Sequence, residues 1–264
     1  MELFNLTVGE GPLVSAAIHN GHALRSSLDD YIGLTDAERL REEDPYTSIL
    51  ADVAPTRIVG SRSRFEVDLN RPREASVYMT PEQAWGLKVW RTPLAEVIAA
   101  ESRQLHDLFY ATIRGLLKQL VAAHQRVIVL DVHTYNHRRE GENGPTADPQ
   151  ENPEINIGTG SMDRDYWAPV VDALINGLRR HEINGQPLDV RENVKFRGGH
   201  FPQWIHREFP RTVCAPAIEF KKTFMNEWTG DANHPHLVKL RDALRATTPE
   251  LLRQLETLKE SHSR

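Results

Sequence analysis

The sequence has 264 residues, enough for one large domain or two small ones, and its 39% hydrophobic content can fill a substantial core. Its 32 basic and 37 acidic residues give a net charge of -5, which argues against a nucleic-acid-binding protein. The single cysteine, Cys214, excludes internal disulfides, and no apolar run approaches the ~20 residues of a membrane helix. The first residues also lack the features of a signal peptide. We therefore expect a cytoplasmic globular protein that binds neither nucleic acid nor membranes.

The first part of the chain predicts short strands, turns and one capped helix. Residues 13–18 form an apolar run that ends at His19, which is typical of a buried strand followed by a turn. Thr35 and the glutamate three residues later have the spacing of a capping box, so a helix should begin there. Residues 57–60 and 65–69 are the next strand candidates, the second because its apolar and polar residues alternate.

The second part predicts long helices that alternate with buried strands. Apolar residues recur every three or four positions from 93 to 124, as in a helix that packs one face on a sheet. Residues 140–160 contain many Gly, Pro, Asn and Asp, which predicts a long loop that is functional or disordered. The remaining pattern predicts strands at 126–132, 188–190 and 213–220, and helices at 165–181 and 236–259. This order predicts one α/β domain, residues 1–264, with a mixed, largely parallel sheet flanked by helices.

Three of the predicted strands end in a reactive side chain, namely His19, His133 and Glu219. Because ligands of α/β sheets bind at the carboxyl ends of strands, these side chains are expected to converge. A catalytic zinc takes about three protein ligands, often two histidines and one carboxylate, and keeps a position open for water. The acidic cluster at residues 42–44 supplies candidate carboxylates. Alternatively, each histidine is a hydrogen-bonded structural residue and the acidic cluster is a solvated turn.

Glu219 and the pair Asn70-Arg71 are further candidates for chemistry. Glu219 is a carboxylate on an otherwise apolar strand, where a charge is costly, so it is a candidate general base unless it pairs with a neighbouring lysine. Asn70 and Arg71 offer an amide and a guanidinium to a carboxylate. Arg64 lies seven residues earlier and joins them only if the chain bends. The alternative is an ordinary surface ion-pair network.

Several of these segments also carry a resemblance to a known family. Ser63-Arg64, Asp68-Leu69-Asn70-Arg71-Pro72, Asp131-Val132-His133-Thr134 and Ile218-Glu219, in this order, resemble the N-formylglutamate amidohydrolase family. The likeness extends over most of the chain, roughly from Leu13 to Gly230. That family is similar in fold to zinc carboxypeptidases, aspartoacylase and succinylglutamate desuccinylase. The resemblance therefore implies a zinc-carboxypeptidase-like (phosphorylase/hydrolase-like) α/β fold.

The resemblance implies a metal site built from both halves of the sequence. His19 and His133 match the metal-binding histidines of the family. The carboxylate ligand falls about twenty-five residues after the first histidine, at Asp44, with its neighbour Glu43 as the alternative. The first motif departs from the family, because His19-Asn20-Gly21-His22 stands where many members have a His-Ser/Cys-Gly turn.

The resemblance also implies roles at the substrate. Asn70 and Arg71 match the pair that holds the substrate's α-carboxylate. Arg64 matches the arginine that polarises the scissile carbonyl, and Glu219 matches the catalytic glutamate. From charge alone, Arg138 or Arg139 is expected to bind an acidic side chain of the substrate.

Together these observations predict a zinc-dependent amidohydrolase that uses metal-activated water on a small N-acyl amino acid. The resemblance favours N-formyl-L-glutamate, which would give formate and glutamate. One alternative is a carboxypeptidase-like hydrolase of small peptides, which shares the carboxylate clamp. Another is a non-catalytic carboxylate- or metal-binding protein of the same fold. Glu219 beside two histidines argues against the last alternative, because binding alone does not require a base.

Overall fold

Ten strands and six helices alternate along residues 2–261, the part of the chain that the computed structural model describes. The strands are β1 (Phe4–Thr7), β2 (Leu13–Ala17), β3 (Thr56–Gly60), β4 (Val127–Tyr135), β5 (Ile155–Gly158), β6 (Glu182–Ile183), β7 (Gln186–Pro187), β8 (Val190–Glu192), β9 (Val213–Cys214) and β10 (Ala217–Lys221). The helices are α1 (Asp36–Glu42), α2 (Thr47–Leu50), α3 (Glu96–His124), α4 (Ala168–Arg179), α5 (His200–Glu208) and α6 (His234–Ser261).

Eight strands form one mixed sheet in the order β1-β3-β2-β4-β10-β5-β8, with β9 also paired to β4. The central strands β3, β2, β4 and β10 run parallel to one another. β1 is antiparallel to β3, and β5 is antiparallel to β10. Every residue of β2 and β4 is buried, as expected for strands covered on both faces. The predicted mixed, largely parallel sheet is confirmed.

Helices cover both faces of this sheet. α3 and α5 pack on one face through side chains such as Phe109 and Phe201. α2, α4 and α6 pack on the other face through side chains such as Leu50, Leu174 and Leu244. The result is the three-layer arrangement expected when helices and strands alternate. Across residues 2–261, none of these helices combines the length and the apolar character that a membrane crossing requires.

The structure confirms most of the predicted elements, including the strand predicted at 13–18 (β2), the long helix α3 and the capped helix α1. The Thr35 side chain accepts a hydrogen bond from the Glu38 backbone N–H, while the Glu38 carboxylate accepts one from the Thr35 backbone N–H. This reciprocal pair satisfies donors that the first turn of a helix otherwise leaves free. It fixes the start of α1, which leads directly to the acidic residues 42–44.

Three local predictions are wrong. Residues 65–69 form turns and no strand, because Glu66 and Asp68 are drawn into buried ion pairs with arginines. Residues 155–158, predicted as loop, form the fully buried strand β5. The strand has only four residues and lies between polar segments, so its apolar residues are too few to indicate a strand from the sequence. The predicted strand at 213–220 is divided at Pro216, because proline has no N–H to donate to a β-ladder.

Candidate metal centre and active-site cleft

His19, Asp44 and His133 bring their side chains together at the carboxyl-terminal side of the parallel strands. Each side chain offers a ligand atom within 4.8 Å of the others, and the three residues are only 2–3% exposed. Asp44 Oδ2 lies 2.9 Å from His133 Nδ1 and 3.5 Å from His19 Nδ1. The histidines meet because His19 follows β2 and His133 lies in β4, its parallel neighbour.

Of the two candidate carboxylates, only Asp44 lies against both histidines. Its position is fixed by its backbone N–H, which donates to the carbonyl oxygen of His19 at 3.1 Å. Glu43 is also buried, but its carboxylate contacts His22 Nδ1 at 2.5 Å and accepts a hydrogen bond from the Ser63 hydroxyl. The structure therefore brings Asp44 to the histidines and directs Glu43 into a separate network.

The Nε2 nitrogen of each histidine, on the side of the ring away from Asp44, contacts a buried carboxylate. His19 Nε2 lies 2.7 Å from Asp68 Oδ1, and His133 Nε2 lies 3.0 Å from Asp131 Oδ1. Carboxylates in this position orient metal-binding histidines and leave the other ring nitrogen for the metal. Within the described residues, the buried Nδ1 of His19 has no hydrogen-bond partner. Coordination of a metal ion by this nitrogen would explain the missing hydrogen bond. The geometry of both rings thus suits coordination through Nδ1.

The charge balance at this centre also favours a cation. Asp68 pairs with Arg64 at 2.8 Å, whereas Asp44 and Asp131 face no lysine or arginine within 4.0 Å among the side chains that the structure describes. Burial lowers the pKa of His133, but Asp131 and Asp44 raise it well above the ordinary value. Two nitrogens and one carboxylate oxygen form a donor set that zinc accepts. The residues therefore fit a divalent metal.

Asp68 connects the metal centre with the rest of the cleft. Asp68 Oδ1 contacts His19 and accepts a hydrogen bond from the Asn70 backbone N–H at 2.8 Å. Asp68 Oδ2 accepts hydrogen bonds from the Arg64 guanidinium and from the Tyr78 hydroxyl. Although burial opposes ionisation, Arg64 and His19 hold the pKa of Asp68 well below its usual range. An ionised Asp68 thus fixes an arginine and a histidine in one arrangement.

Glu219 lies on the strand next to His133 and lines the same cleft as His19 and Asp44. Its position on β10 is in register with His133 on β4. Burial raises the pKa of Glu219 to about 7; the positive charge of His133 lowers it, and the negative charge of Asp44 raises it. A carboxyl group with this pKa can both accept and donate a proton near neutral pH.

Neither neighbouring lysine pairs with Glu219. The Lys221 ammonium donates to the Asn152 carbonyl oxygen at 2.7 Å. The buried Lys222 ammonium donates to the carbonyl oxygens of Arg41 and Glu43 at 2.6 and 2.8 Å. The structural alternative for Glu219, an ion pair with an adjacent lysine, is therefore wrong.

Asn70 and Arg71 also line the cleft, and each has hydrogen-bond donors that the described part of the protein does not use. Asn70 Oδ1 accepts from the Phe201 backbone N–H at 2.9 Å, which leaves Nδ2 to donate elsewhere. Gly199 permits this contact, because a Cβ there would lie 2.3 Å from Asn70 Nδ2. The Arg71 side chain is 34% exposed and donates one hydrogen bond to the Gln83 carbonyl oxygen at 3.3 Å. Both side chains can therefore bind an anion in the cleft.

The backbone that carries this pair is held from outside the cleft. The Tyr110 hydroxyl donates to the Leu69 carbonyl oxygen at 2.7 Å, and His106 Nε2 contacts the Arg71 carbonyl oxygen at 2.9 Å. Both residues belong to α3, the long helix beneath the sheet. The turn conformation of this segment thus depends on tertiary contacts.

One cavity of about 250 Å³ joins these groups. Its lining includes His19, Asp44, Arg64, Asn70, Arg71, His133 and Glu219. Arg138, predicted to bind substrate, does not line this cavity, because its guanidinium donates to the Gly144 carbonyl oxygen at 3.0 Å. Arg139 does line it and pairs with Glu42 at 3.0 Å. The structure thus places Arg139 in the cleft and Arg138 on an adjoining cavity.

Sequence reasoning missed Asp68 and Asp131 as partners of the histidines. Asp131 carried a usable signal, because residues two apart on a strand point to the same face, and Asp131 precedes His133 by two positions. Asp68 carried none, since it lies 49 positions after His19 in the chain. The sequence also gave no indication that Tyr78 contacts Asp68.

Comparison with known proteins gives both a family and a fold. The family model for N-formylglutamate amidohydrolase matches residues 11–225, whereas no curated protein matches significantly. The solved N-formylglutamate amidohydrolase from Ralstonia eutropha JMP134 has a TM-score of 0.75 at 17% identity, covering 99% of this chain and 100% of the other. A gene product from Agrobacterium tumefaciens has a TM-score of 0.63 at 17% identity, covering 100% and 97%. At this identity the two structures show the shared fold.

Proposed function

This chain belongs to the N-formylglutamate amidohydrolase family, and from this membership and its cleft we propose that it is a zinc-dependent hydrolase of small N-acyl amino acids. N-formyl-L-glutamate is the first candidate substrate. One observation carries the proposal: His19, Asp44 and His133 converge beside Glu219 in a cleft that also contains Arg71. Amide hydrolysis needs an activated water, a proton for the leaving amine and stabilisation of an oxyanion. This set of residues can meet all three requirements.

His19, Asp44 and His133 would hold the metal. When bound, zinc in such a set supplies Lewis acidity, which makes water more acidic and a carbonyl more electrophilic. Asp68 and Asp131 contact Nε2 of the two imidazoles at 2.7 and 3.0 Å and so keep both Nδ1 atoms turned toward Asp44. A cation bound here would replace the proton that His133 shares with Asp44.

Glu219 would move the proton. With a pKa of about 7, its carboxylate can take a proton from the attacking water and then return it to the leaving nitrogen. The hydrolysis balances in this way: the C–N bond breaks, a C–O bond forms, and water supplies both the hydroxyl of the acid product and a proton for the amine. A positioned base of this kind contributes about 10²–10⁴-fold to the rate.

Arg64, Asn70 and Arg71 would bind the substrate and its oxyanion. Arg64 is held by Asp68 and lines the cleft, so it can donate to the developing negative charge on the carbonyl oxygen. Asn70 and Arg71 would hold the α-carboxylate and orient the amide toward water. Removing one such oxyanion donor typically lowers the rate by about 10²–10³-fold.

A second carboxylate of the substrate would meet Arg139. Of the two consecutive arginines, Arg139 is the one that lines the cleft. Its pairing with Glu42 uses one guanidinium nitrogen, and the group offers five N–H donors in all. The remaining donors are sufficient for an acidic side chain such as that of glutamate.

The first experiment combines metal analysis of the purified protein with formate release from N-formyl-L-glutamate, with and without chelator. About one zinc per chain and chelator-sensitive release are expected. His133→Ala should lose both, whereas the control His124→Ala, at the end of α3 and outside the cleft, should keep both. Zinc without formate release would direct the assay to other N-acyl amino acids and dipeptides. A protein that binds no zinc even when zinc is supplied would refute the proposal.

A further inference from the structure

Asn136 is a buried side chain at the cleft that the mechanism above does not use. It follows Tyr135, the last residue of β4, and is only 5% exposed. Among the residues that the structure describes, no hydrogen bond reaches its buried Oδ1. Buried polar atoms are nearly always paired, and an unpaired one destabilises the protein. Asn136 therefore presents an acceptor that has no donor among the described residues.

The position of Asn136 shows where that donor would come from. The residue lines the cleft of about 250 Å³ that contains the metal-binding residues and Glu219. It also lines the adjoining cavity of about 220 Å³, whose walls include Arg41, Arg138 and Arg139. Asn136 thus lies where the two cavities meet, between the reacting groups and a wall rich in arginine. A substrate that fills the cleft will lie against this side chain.

The chemistry of the proposed substrate leaves one group that can donate a hydrogen bond to Asn136 Oδ1. In an N-acyl amino acid with ionised carboxylates and no polar hydrogen in its side chain, every oxygen accepts hydrogen bonds. The N–H of the scissile amide is the single donor. The surrounding arginines of this protein can satisfy the carboxylates, but as donors they cannot satisfy the amide N–H. The carboxylates of Asp44 and Glu219 have other roles in the proposed mechanism, whereas Asn136 Oδ1 is a neutral acceptor of the cleft lining that has no partner among the described residues.

We propose that Asn136 is a specificity-determining residue whose side-chain oxygen accepts the N–H of the scissile amide. The inference rests on the proposed function. It implies that the enzyme favours amides over esters, because an ester oxygen in place of N–H leaves the buried acceptor unpaired. Sites built around a hydrogen bond reject analogues that lack the donor far more strongly than apolar pockets reject small changes in size.

The test compares two matched substrates, an N-acyl-glutamate and the ester in which oxygen replaces the N–H. Both carry the acyl group that the wild-type enzyme hydrolyses fastest. Asn136→Leu should lower kcat/KM for the amide by about 10- to 100-fold, the effect of losing a buried hydrogen bond, and that for the ester by less than about 3-fold. Asn136→Asp keeps an acceptor and should retain the preference for the amide. The control Asn143→Leu, in the following loop and outside the cleft, should change neither value.

Thermal stability and zinc content of each variant are measured alongside the rates. An unchanged amide-to-ester ratio in a folded, metal-containing Asn136→Leu enzyme would overturn the inference and leave the proposed function intact. If the leucine variant does not fold, Asn136→Ala removes the same oxygen without added bulk and is judged by the same ratio. If the wild-type enzyme hydrolyses no N-acyl amino acid, the proposed function fails and this inference fails with it.

Discussion

The carboxylate of Asp131 is expected to determine how tightly the metal centre binds zinc. Asp131 is fully buried, and its Oδ1 lies 3.0 Å from His133 Nε2. Asp131→Asn keeps the size and an acceptor oxygen but removes the negative charge behind the imidazole. A less polarised imidazole is a weaker ligand, and changes of this kind cost about 10- to 100-fold in metal affinity. This corresponds to about 1.4–2.8 kcal/mol of binding free energy.

The assay is competition for zinc between the protein and a chromophoric chelator near neutral pH. Asp163→Asn is the matched control, because that carboxylate is exposed and pairs with Arg211 at 2.7 Å, away from the cleft. With zinc at saturation, kcat of the Asp131→Asn enzyme should fall less than its metal affinity. Equal zinc affinities of wild type and Asp131→Asn, with thermal stability unchanged, would refute the assignment of His133 as a ligand supported by Asp131.

Three further predictions concern the base, the clamp and the pH dependence of stability. Glu219→Gln should lower kcat by about 10²–10⁴-fold while zinc content stays at the wild-type level; a fully active variant would refute the role of Glu219. Arg71→Ala should raise KM for substrates with a free α-carboxylate, and equal changes for carboxamide analogues would refute the clamp. Burial lowers the pKa of His206 from its ordinary value of 6.5 to about 4, so the unfolded chain takes up the proton first as the pH falls. Stability should therefore fall by about 3 kcal/mol as the pH falls from 6.5 to 4, because protonation of the buried imidazole is less favourable in the folded protein. His206→Gln should flatten urea midpoints over this window, and a curve parallel to that of the wild type would contradict the assignment.

The sequence by itself determined the architecture and most of the reactive groups. Apolar runs flanked by turns predict β2 and β4, and a repeat of three to four residues predicts α3, because each pattern follows from the geometry of one element. The capping box at Thr35 is equally local. The convergence of the histidines was also predictable, since the carboxyl ends of adjacent parallel strands meet at one edge of a sheet.

Only the tertiary structure decided which of two neighbouring side chains enters the cleft. Asp44 and Glu43 are adjacent acids, yet the hydrogen bond from the Asp44 backbone to His19 turns one toward the metal centre and leaves the other with His22. Arg138 and Arg139 are separated in the same way, by a carbonyl oxygen and a carboxylate that come from other parts of the chain.

Residues 65–69 show the physical reason for this division. Their alternating pattern is typical of a strand, but Asp68 binds an arginine, a tyrosine and a histidine that the fold brings to it. Local patterns report which face of an element is apolar, because burial of apolar surface acts on every residue in the same way. A buried charge depends instead on particular partners, and these are distant in the sequence. Most of the strands and long helices could therefore be predicted from the sequence, whereas the arrangement of charges around His19, Asp44 and His133 could not.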